Sequence, residues 1–327
     1  MTIRTARRRL LTLAIPAVAA ALCTPAAMAQ DVWPSKPIRI IVPYPAGGTT
    51  DQLARAIQHP LSEILGQPII VENRAGAGGT VGTEAAVRSA PNGYTFVFGN
   101  SGPNALAGLV RKLSYDSLQD LRPLSTVAIV PMILAVPADS PHKTLKEFLT
   151  YAREQGSALN YGSVGPGSLS HLTGEYFNDL AKLKMQHIPY TGGAPMVVAF
   201  GSGQLHAAFV TGLDGASMRQ AGRIRYLAVA TPQRTDVLPG LPAVAEEVPG
   251  FSSQAWFGVL APKGLPDDIM QRMHAALVKA IGAPDVRKMF ADRNVEARSS
   301  TPAEFEKLIR DEIEQWRPVV SKADIKP

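Results

Sequence analysis

Arg39-Ile-Ile-Val-Pro-Tyr-Pro-Ala-Gly-Gly-Thr-Thr-Asp51 contains a complete change of backbone conformation. Ile38, Ile40, Ile41 and Val42 make a short apolar run of β-formers, the pattern of a buried strand. Pro43 and Pro45 end it. Gly47 and Gly48 allow backbone angles that other residues resist, and Thr49, Thr50 and Asp51 are helix N-cap types. Beyond them Leu53, Ala54, Ile57, Leu61, Ile64 and Leu65 fall on one face of a helix. The reading is strand, glycine turn, helix N-terminus. Such a turn aims backbone N–H groups and the positive end of a helix dipole at one spot, which suits an anion. An ordinary βα turn reads the same way on these residues alone.

The unit recurs after this stretch. Residues 68–72 read as a second strand, 73–80 as a second glycine loop and 81–89 as a helix. Residues 94–98 read as a third strand ending in the polar loop 99–104, which includes Ser101. Parallel strands that each end in a Gly/Ser/Thr/Asn loop predict a doubly wound α/β sheet, with ligands at the strands' carboxyl ends. The apolar run 127–136 is interrupted by Pro131, which argues for an edge or a crossing between domains. A second series follows. Thr144 and Glu147 form a capping box for a helix over 144–155. Strands are expected at 159–164, 184–190, 206–210 and 225–231. The first three end in the turns Gly165–Ser170, Thr191-Gly-Gly193 and Thr211–Asp214. Residues 255–261 read as a strand returning to the first series, and helices over 266–281 and 301–322 complete the chain. The expected organisation is a leader over 1–29, one domain from 30–132 plus 252–327, and a second from 133–251.

Length, at 327 residues, suits two domains, and 46% hydrophobic with 18% charged residues describes a folding chain. Arg4, Arg7, Arg8 and Arg9 precede an apolar run from 10 to 22, and Ala27-Met-Ala29 fits a cleavage site, so a signal peptide ending near Ala29 is expected. Its apolar core is too short to span a membrane. Ala6 and Leu10 depart from the twin-arginine pattern, which favours the general secretory route. Cys23, the single cysteine, lies inside the leader behind Leu22, which does not fit a lipoprotein site. The processed chain then has no thiol, hence no disulfide and no cysteine nucleophile or ligand. Removing the leader's four arginines takes the formal charge from +6 to +2, which speaks against a nucleic-acid partner.

Chemical motifs are mostly excluded. Counting from Gly76 and Gly78, the dinucleotide fingerprint would need glycine where Val81 stands, and no acidic strand end follows about twenty residues on. No Gly-Lys-Ser/Thr occurs, so neither nucleotide nor other cofactor is expected. Tyr161 occupies the first glycine of a serine elbow around Ser163. His171, close to Ser168 and Ser170, is open to two readings: a base or ligand donor, or a helix-start histidine satisfying a local carbonyl. The histidines show no paired metal-ligand spacing. What remains is a turn in each half suited to an anion, neither carrying lysine or arginine, with a third approach at Pro189–Ala194.

Val42-Pro-Tyr-Pro-Ala-Gly-Gly-Thr-Thr-Asp51, Val71-Glu-Asn-Arg-Ala-Gly-Ala-Gly-Gly79 and Pro91-Asn-Gly-Tyr94 carry a resemblance. So do Tyr161-Gly-Ser-Val-Gly-Pro-Gly-Ser168 with His171-Leu172, Pro189-Tyr-Thr-Gly-Gly-Ala-Pro195, Trp256-Phe-Gly-Val-Leu-Ala-Pro262 and Thr301-Pro-Ala-Glu-Phe305. In this order the chain resembles the Bug family, periplasmic receptors of tripartite tricarboxylate transporters. The resemblance implies two doubly wound α/β lobes joined by a hinge, of periplasmic-binding-protein type, with a small carboxylate in the cleft between them. It implies pincers at Tyr44, Ala46, Gly47, Gly48, Thr49, Thr50 and Asp51 in the first lobe. Ser163, Gly165, Gly167, Ser168 and His171 oppose them in the second, with Ser101, Tyr190, Thr191, Gly192 and Asp214 as further candidates. Ala46 stands where the family often carries a bulky aromatic, though Tyr44 is aromatic, and this implies a wider pocket on that side. Thr191 stands where the family often has lysine or arginine.

The expected function is therefore a monomeric periplasmic receptor that closes on a carboxylate and delivers it to membrane transporter subunits, with no metal and no reaction. Two rivals stay open at this level: a secreted enzyme acting on a small acid with His171 as base, and a receptor feeding a signalling partner.

Overall fold

A computed structural model describes residues 33–322; the expected leader, its cleavage site and Cys23 lie outside them. The apolar run forms β1 (Ile38–Val42), in which Ile38, Ile40, Ile41 and Val42 are fully buried. It is an interior strand with β2 (Ile69–Asn73) on one side and β3 (Thr95–Asn100) on the other, both parallel to it. Both of its faces are covered, so its residues are apolar except for the half-buried Arg39, which pairs with Glu72. The helix Thr49–Leu65 buries Leu53, Ala54, Ile57 and Leu61 and ends at Gly66, left-handed at φ 67°.

The first sheet is completed by β4 (Leu121–Pro131), β10 (Gln254–Pro262) and the short β11 (Glu296–Ala297). Its order is β11-β4-β10-β3-β1-β2, with β10 antiparallel to β3 and to β4. The second sheet contains β5 (Ile133–Pro137), β6 (Asn160–Ser163), β7 (Gln186–Pro189), β8 (Ala207–Val210) and β9 (Ile224–Val229). Its order is β7-β6-β8-β5-β9, with β6 parallel to β7 and β8 and β5 antiparallel to its neighbours. Both sheets thus repeat one plan: second, first and third strand of a parallel series, then an antiparallel strand. That order leaves a crevice beyond the carboxyl ends of the first and third strands.

The chain passes from the first sheet to the second at Met132 and returns through residues 230–253. The two passages hold each other: Ala230 N donates to Met132 O at 2.8 Å and Ser253 N to Ala230 O at 2.7 Å. Pro131 therefore marks a crossing. The strands before and after it are both interior to their sheets, with β4 starting already at Leu121. Pro123, Ser125 and Thr126 conceal that start from an apolar-run reading. The expected loop 99–104 is also replaced. β3 runs to Asn100, then a turn of helix Gly102–Leu106 begins, and the Asn104 side-chain oxygen accepts the Asn100 N–H at 3.1 Å. The helices Gly212–Gln220 and Pro284–Ala291 were not expected from the apolar pattern.

The C-terminal helix Pro302–Lys322 opens with the anticipated capping pair, Thr301 N to Glu304 at 2.8 Å and Glu304 N to Thr301 Oγ1 at 3.2 Å. It packs on β4 and on the 102–106 turn. Phe305 is fully buried over Gly258 of β10, where a Cβ would fall 2.5 Å from the ring. Burial of such a ring contributes about 1.5–3 kcal/mol, and it fixes the strand that floors the site.

Candidate functional site

The strand-end crevices of the two sheets meet at a cavity of about 60 Å³, room for about four waters. Tyr44, Gly48, Thr49 and Thr50 line it from the turn after β1, and Asn100 and Ser101 from the end of β3. Val164, Leu169 and Ser170 come from the turn after β6, and Phe209, Thr211 and Asp214 from β8 and the helix behind it. Met132 at the crossing, Ala255 and Phe257 on β10, and Gly193 complete the wall. One side is hydroxyl and amide, the other apolar. Among the described residues, no lysine, arginine or histidine lines it.

The turn after β1 differs in detail from the expectation. Gly47 is left-handed at φ 87°, as a glycine turn requires, but Gly48 is extended at φ −77°, ψ 171°. Gly48 itself is the helix N-cap, without a side-chain cap. Asp51 does not cap the helix or line the cavity. Its carboxylate accepts from Gly47 N at 2.9 Å, from Arg55 Nε and from Asn73 Nδ2, bracing the turn from behind. Burial raises its pKa, but the hydrogen bonds from Arg55, Gly47 and Asn73 outweigh that and hold it below the usual carboxylate range.

Forward of the turn, the free N–H of Thr49 meets Asp214 Oδ1 at 2.9 Å, and the Thr49 hydroxyl makes a short hydrogen bond with that of Thr211. Thr211 caps the helix Gly212–Gln220 by accepting from Asp214 N at 3.1 Å, which places Asp214 in its first turn. Asn100 Nδ2 donates to Thr50 Oγ1 at 3.2 Å, and the Tyr44 hydroxyl donates to Gly78 O at 2.9 Å. Burial pushes the Tyr44 phenol up and the Asp214 carboxyl up, the latter against the Thr49 N–H and the Thr49 and Thr211 hydroxyls.

In the turn after β6 the polar groups chiefly hold the turn together. Ser168 caps the helix Leu169–Ala181 and donates to Gly165 O at 2.6 Å. Ser163 Oγ lies 2.6 Å from His187 Nε2. His171 Nδ1 accepts the Gly167 N–H at 3.1 Å, and its ring stacks on His187 with centroids 3.9 Å apart. Burial pushes His171 down to about 4; burial, then the charge of His171, pushes His187 down to about 3. His171 thus satisfies a local N–H, where a carbonyl was the anticipated local partner. Ser170 Oγ accepts from Val164 N at 3.0 Å and is the hydroxyl of this turn that reaches the cavity.

Of the candidates, Tyr44, Gly48, Thr49, Thr50, Ser101 and Asp214 line the cavity. Gly165 and Gly192 lie where loops of the two halves touch: a Cβ at 165 would come 3.1 Å from Gly78 Cα, and one at 192 would come 2.8 Å from Pro45 Cδ. Ala46, Gly47 and Thr191 are exposed, so neither Ala46 nor Thr191 shapes this cavity. Asp51, Ser163, Gly167, Ser168, His171 and Tyr190 do not line it. The reading from sequence missed Asn100, Ser170 and Thr211, polar residues beside strand ends whose position was a usable signal. It also missed Met132, Val164, Leu169, Phe209, Ala255 and Phe257, which look like core in any apolar pattern, and Gly193.

A family model described as "Tripartite tricarboxylate transporter family receptor" matches residues 53–325. Protein BugT of Bordetella pertussis is 32% identical over 304 residues, covering 92% of this chain and 93% of its own. Among solved structures, an R. palustris protein with adipate superposes at a TM-score of 0.87 with 33% identity, covering 90% of this chain and 99% of the other. MatC from Rhodopseudomonas palustris with bound malate gives 0.83 with 31% identity, covering 88% and 99%.

Proposed function

The chain belongs to the tripartite tricarboxylate transporter receptor family, and on that premise we propose that it is a periplasmic receptor for a small carboxylate, which it delivers to membrane transporter subunits. The observation that carries the reading is the meeting of two strand-end crevices at one cavity, with a helix N-terminus and hydroxyls on one wall and no basic side chain. Adipate and malate, held by the two related structures, are small acids of the kind such a wall suits. The contacts we assign are Gly48, Thr49 and Thr50 from one half and Ser170 and Thr211 from the other, with Ser101 and Asn100 behind them.

The lobes are taken as 30–132 with 252–327, and 133–251. The partition of strands between two sheets, with passages at Met132 and 230–253, supports these bounds. Closure of the lobes about the passages captures the ligand, and the closed form is what a transporter recognises. The chain acts as a monomer, exported by a leader cleaved near Ala29. No described helix is long and apolar enough to cross a membrane.

The reading assigns no reaction. His171, the candidate base, is off the cavity, has Nδ1 occupied by the Gly167 N–H, and is pushed down to about 4 by burial. A base must reach the proton it removes. The test is a thermal-shift screen of mono-, di-, tri- and aromatic carboxylates, followed by recovery of the tightest binder after incubation. A ligand of the native state raises the melting point by mass action. Failure of every acid to do so refutes the receptor reading, and conversion of the bound acid refutes the absence of chemistry.

A further inference from the structure

A carboxylate is an odd lining for a site that takes carboxylates. Asp214 Oδ1 accepts the Thr49 N–H at 2.9 Å, with the Thr49 and Thr211 hydroxyls beside it. The helix N-terminus offered to a ligand anion therefore already holds a carboxyl group of the protein's own. The seat is shaped for it: a Cβ at Gly193 would fall 2.3 Å from Asp214 Oδ1, so a larger residue there would evict the carboxyl. The position is also fixed from below, because Thr211 holds the Asp214 N–H at the start of its helix.

Among the described residues, no basic side chain in the cavity neutralises this group. Its ionisable neighbours are the phenols of Tyr44 and Tyr226, both pushed up, the Tyr226 phenol to about 12, chiefly by burial. The Arg219 guanidinium lies over the Tyr226 ring, 4.8 Å from its centroid, and does not line the cavity. Burial makes the Asp214 charge costly, and an incoming cation relieves that cost. In a cavity of about 60 Å³ a second carboxylate cannot keep its distance from Asp214. An ammonium at the same place makes a charge-assisted hydrogen bond. The ligand's own carboxylate is then left to Thr50, Ser101 and Ser170.

We propose that Asp214 sets the ligand class, selecting acids that carry a protonated amino group over plain carboxylates of the same skeleton. The inference rests on the carboxylate-receptor reading and narrows it. The test is calorimetry on matched pairs that differ only in the amino group: aspartate and succinate, glutamate and glutarate, β-alanine and propionate. Wild type is expected to bind the amino member of at least one pair about tenfold tighter or more. Asp214→Asn, which keeps the shape and an acceptor for Thr49 N–H, is expected to erase that preference by weakening the amino member and strengthening the plain acid. Tighter or equal binding of the plain acids by wild type overturns the inference, as does a preference unchanged in Asp214→Asn. The wild-type comparison stands whether or not the variant folds. Binding of plain acids alone leaves the receptor reading intact, whereas no binding by any acid removes both.

Discussion

Gly192→Ala isolates the contact between the two halves. Gly192 sits at φ 170°, ψ −179°, extended backbone that any residue adopts, so the added methyl brings no local strain. It would fall 2.8 Å from Pro45 Cδ and 3.2 Å from Cγ. Carbon atoms rest at about 3.5–4.0 Å, so the loops after β1 and β7 must separate by roughly 0.7 Å. Overpacking of this size costs about 1–3 kcal/mol. Because Pro45 and Gly192 belong to different halves, the cost falls on the closed form and not on either sheet. At about 1.4 kcal/mol per tenfold, affinity should weaken by roughly 5- to 150-fold. Replacing glycine at a compatible conformation tends to stabilise slightly, by about 0.4–1 kcal/mol, through the unfolded chain. The assay is calorimetric titration with the tightest acid from the screen, beside melting of the free protein. An affinity within about twofold of wild type refutes the reasoning. So does a loss of affinity matched by an equal loss of free-protein stability, which would locate the damage inside one half.

Three further outcomes are expected. Affinity should change little between low and moderate salt, since no basic side chain lines the cavity and Arg55 and Arg74 are engaged by Asp51 and Glu72; calorimetry at two ionic strengths checks this. Acid should destabilise the fold through the buried histidines. His171 lies at about 4, below its ordinary 6.5, so the unfolded chain binds more protons between those values, and stability is full above 6.5 and lost as pH falls toward 4. That loss is roughly 3 kcal/mol for this group, read as a gap between urea midpoints at pH 7 and 4.5 that narrows in His171→Gln, His187 supplying what remains. Finally, Phe305→Ala should cost about 3–5 kcal/mol in urea unfolding, because the ring is fully buried over Gly258 and edge-on to Trp256 at 4.9 Å; a cost under about 1 kcal/mol would show that the C-terminal helix does not hold β10.

What could be read from the chain alone was local order and its repetition. Ile38 to Val42, the glycines after it and the spacing from Leu53 to Leu61 report on backbone within a few residues, and they form the strand, turn and helix they suggest. Two series of such units imply two sheets with loops at the strands' carboxyl ends, and the cavity lies at those ends. Only the tertiary structure decided which atoms of the turns face the cavity. Asp51 and His171 carry the chemistry a site would use, but the first braces its turn and the second holds its own backbone. Met132, Phe209 and Phe257 are apolar strand or crossing residues, and periodicity gives a wall and a core the same signature. The pairing of Thr49 with Asp214 joins residues 165 positions apart in different halves. No spacing rule reaches across that distance, because the contact depends on how two sheets are set against each other, and that is fixed by packing at the passages and loops rather than by the backbone preference of either residue.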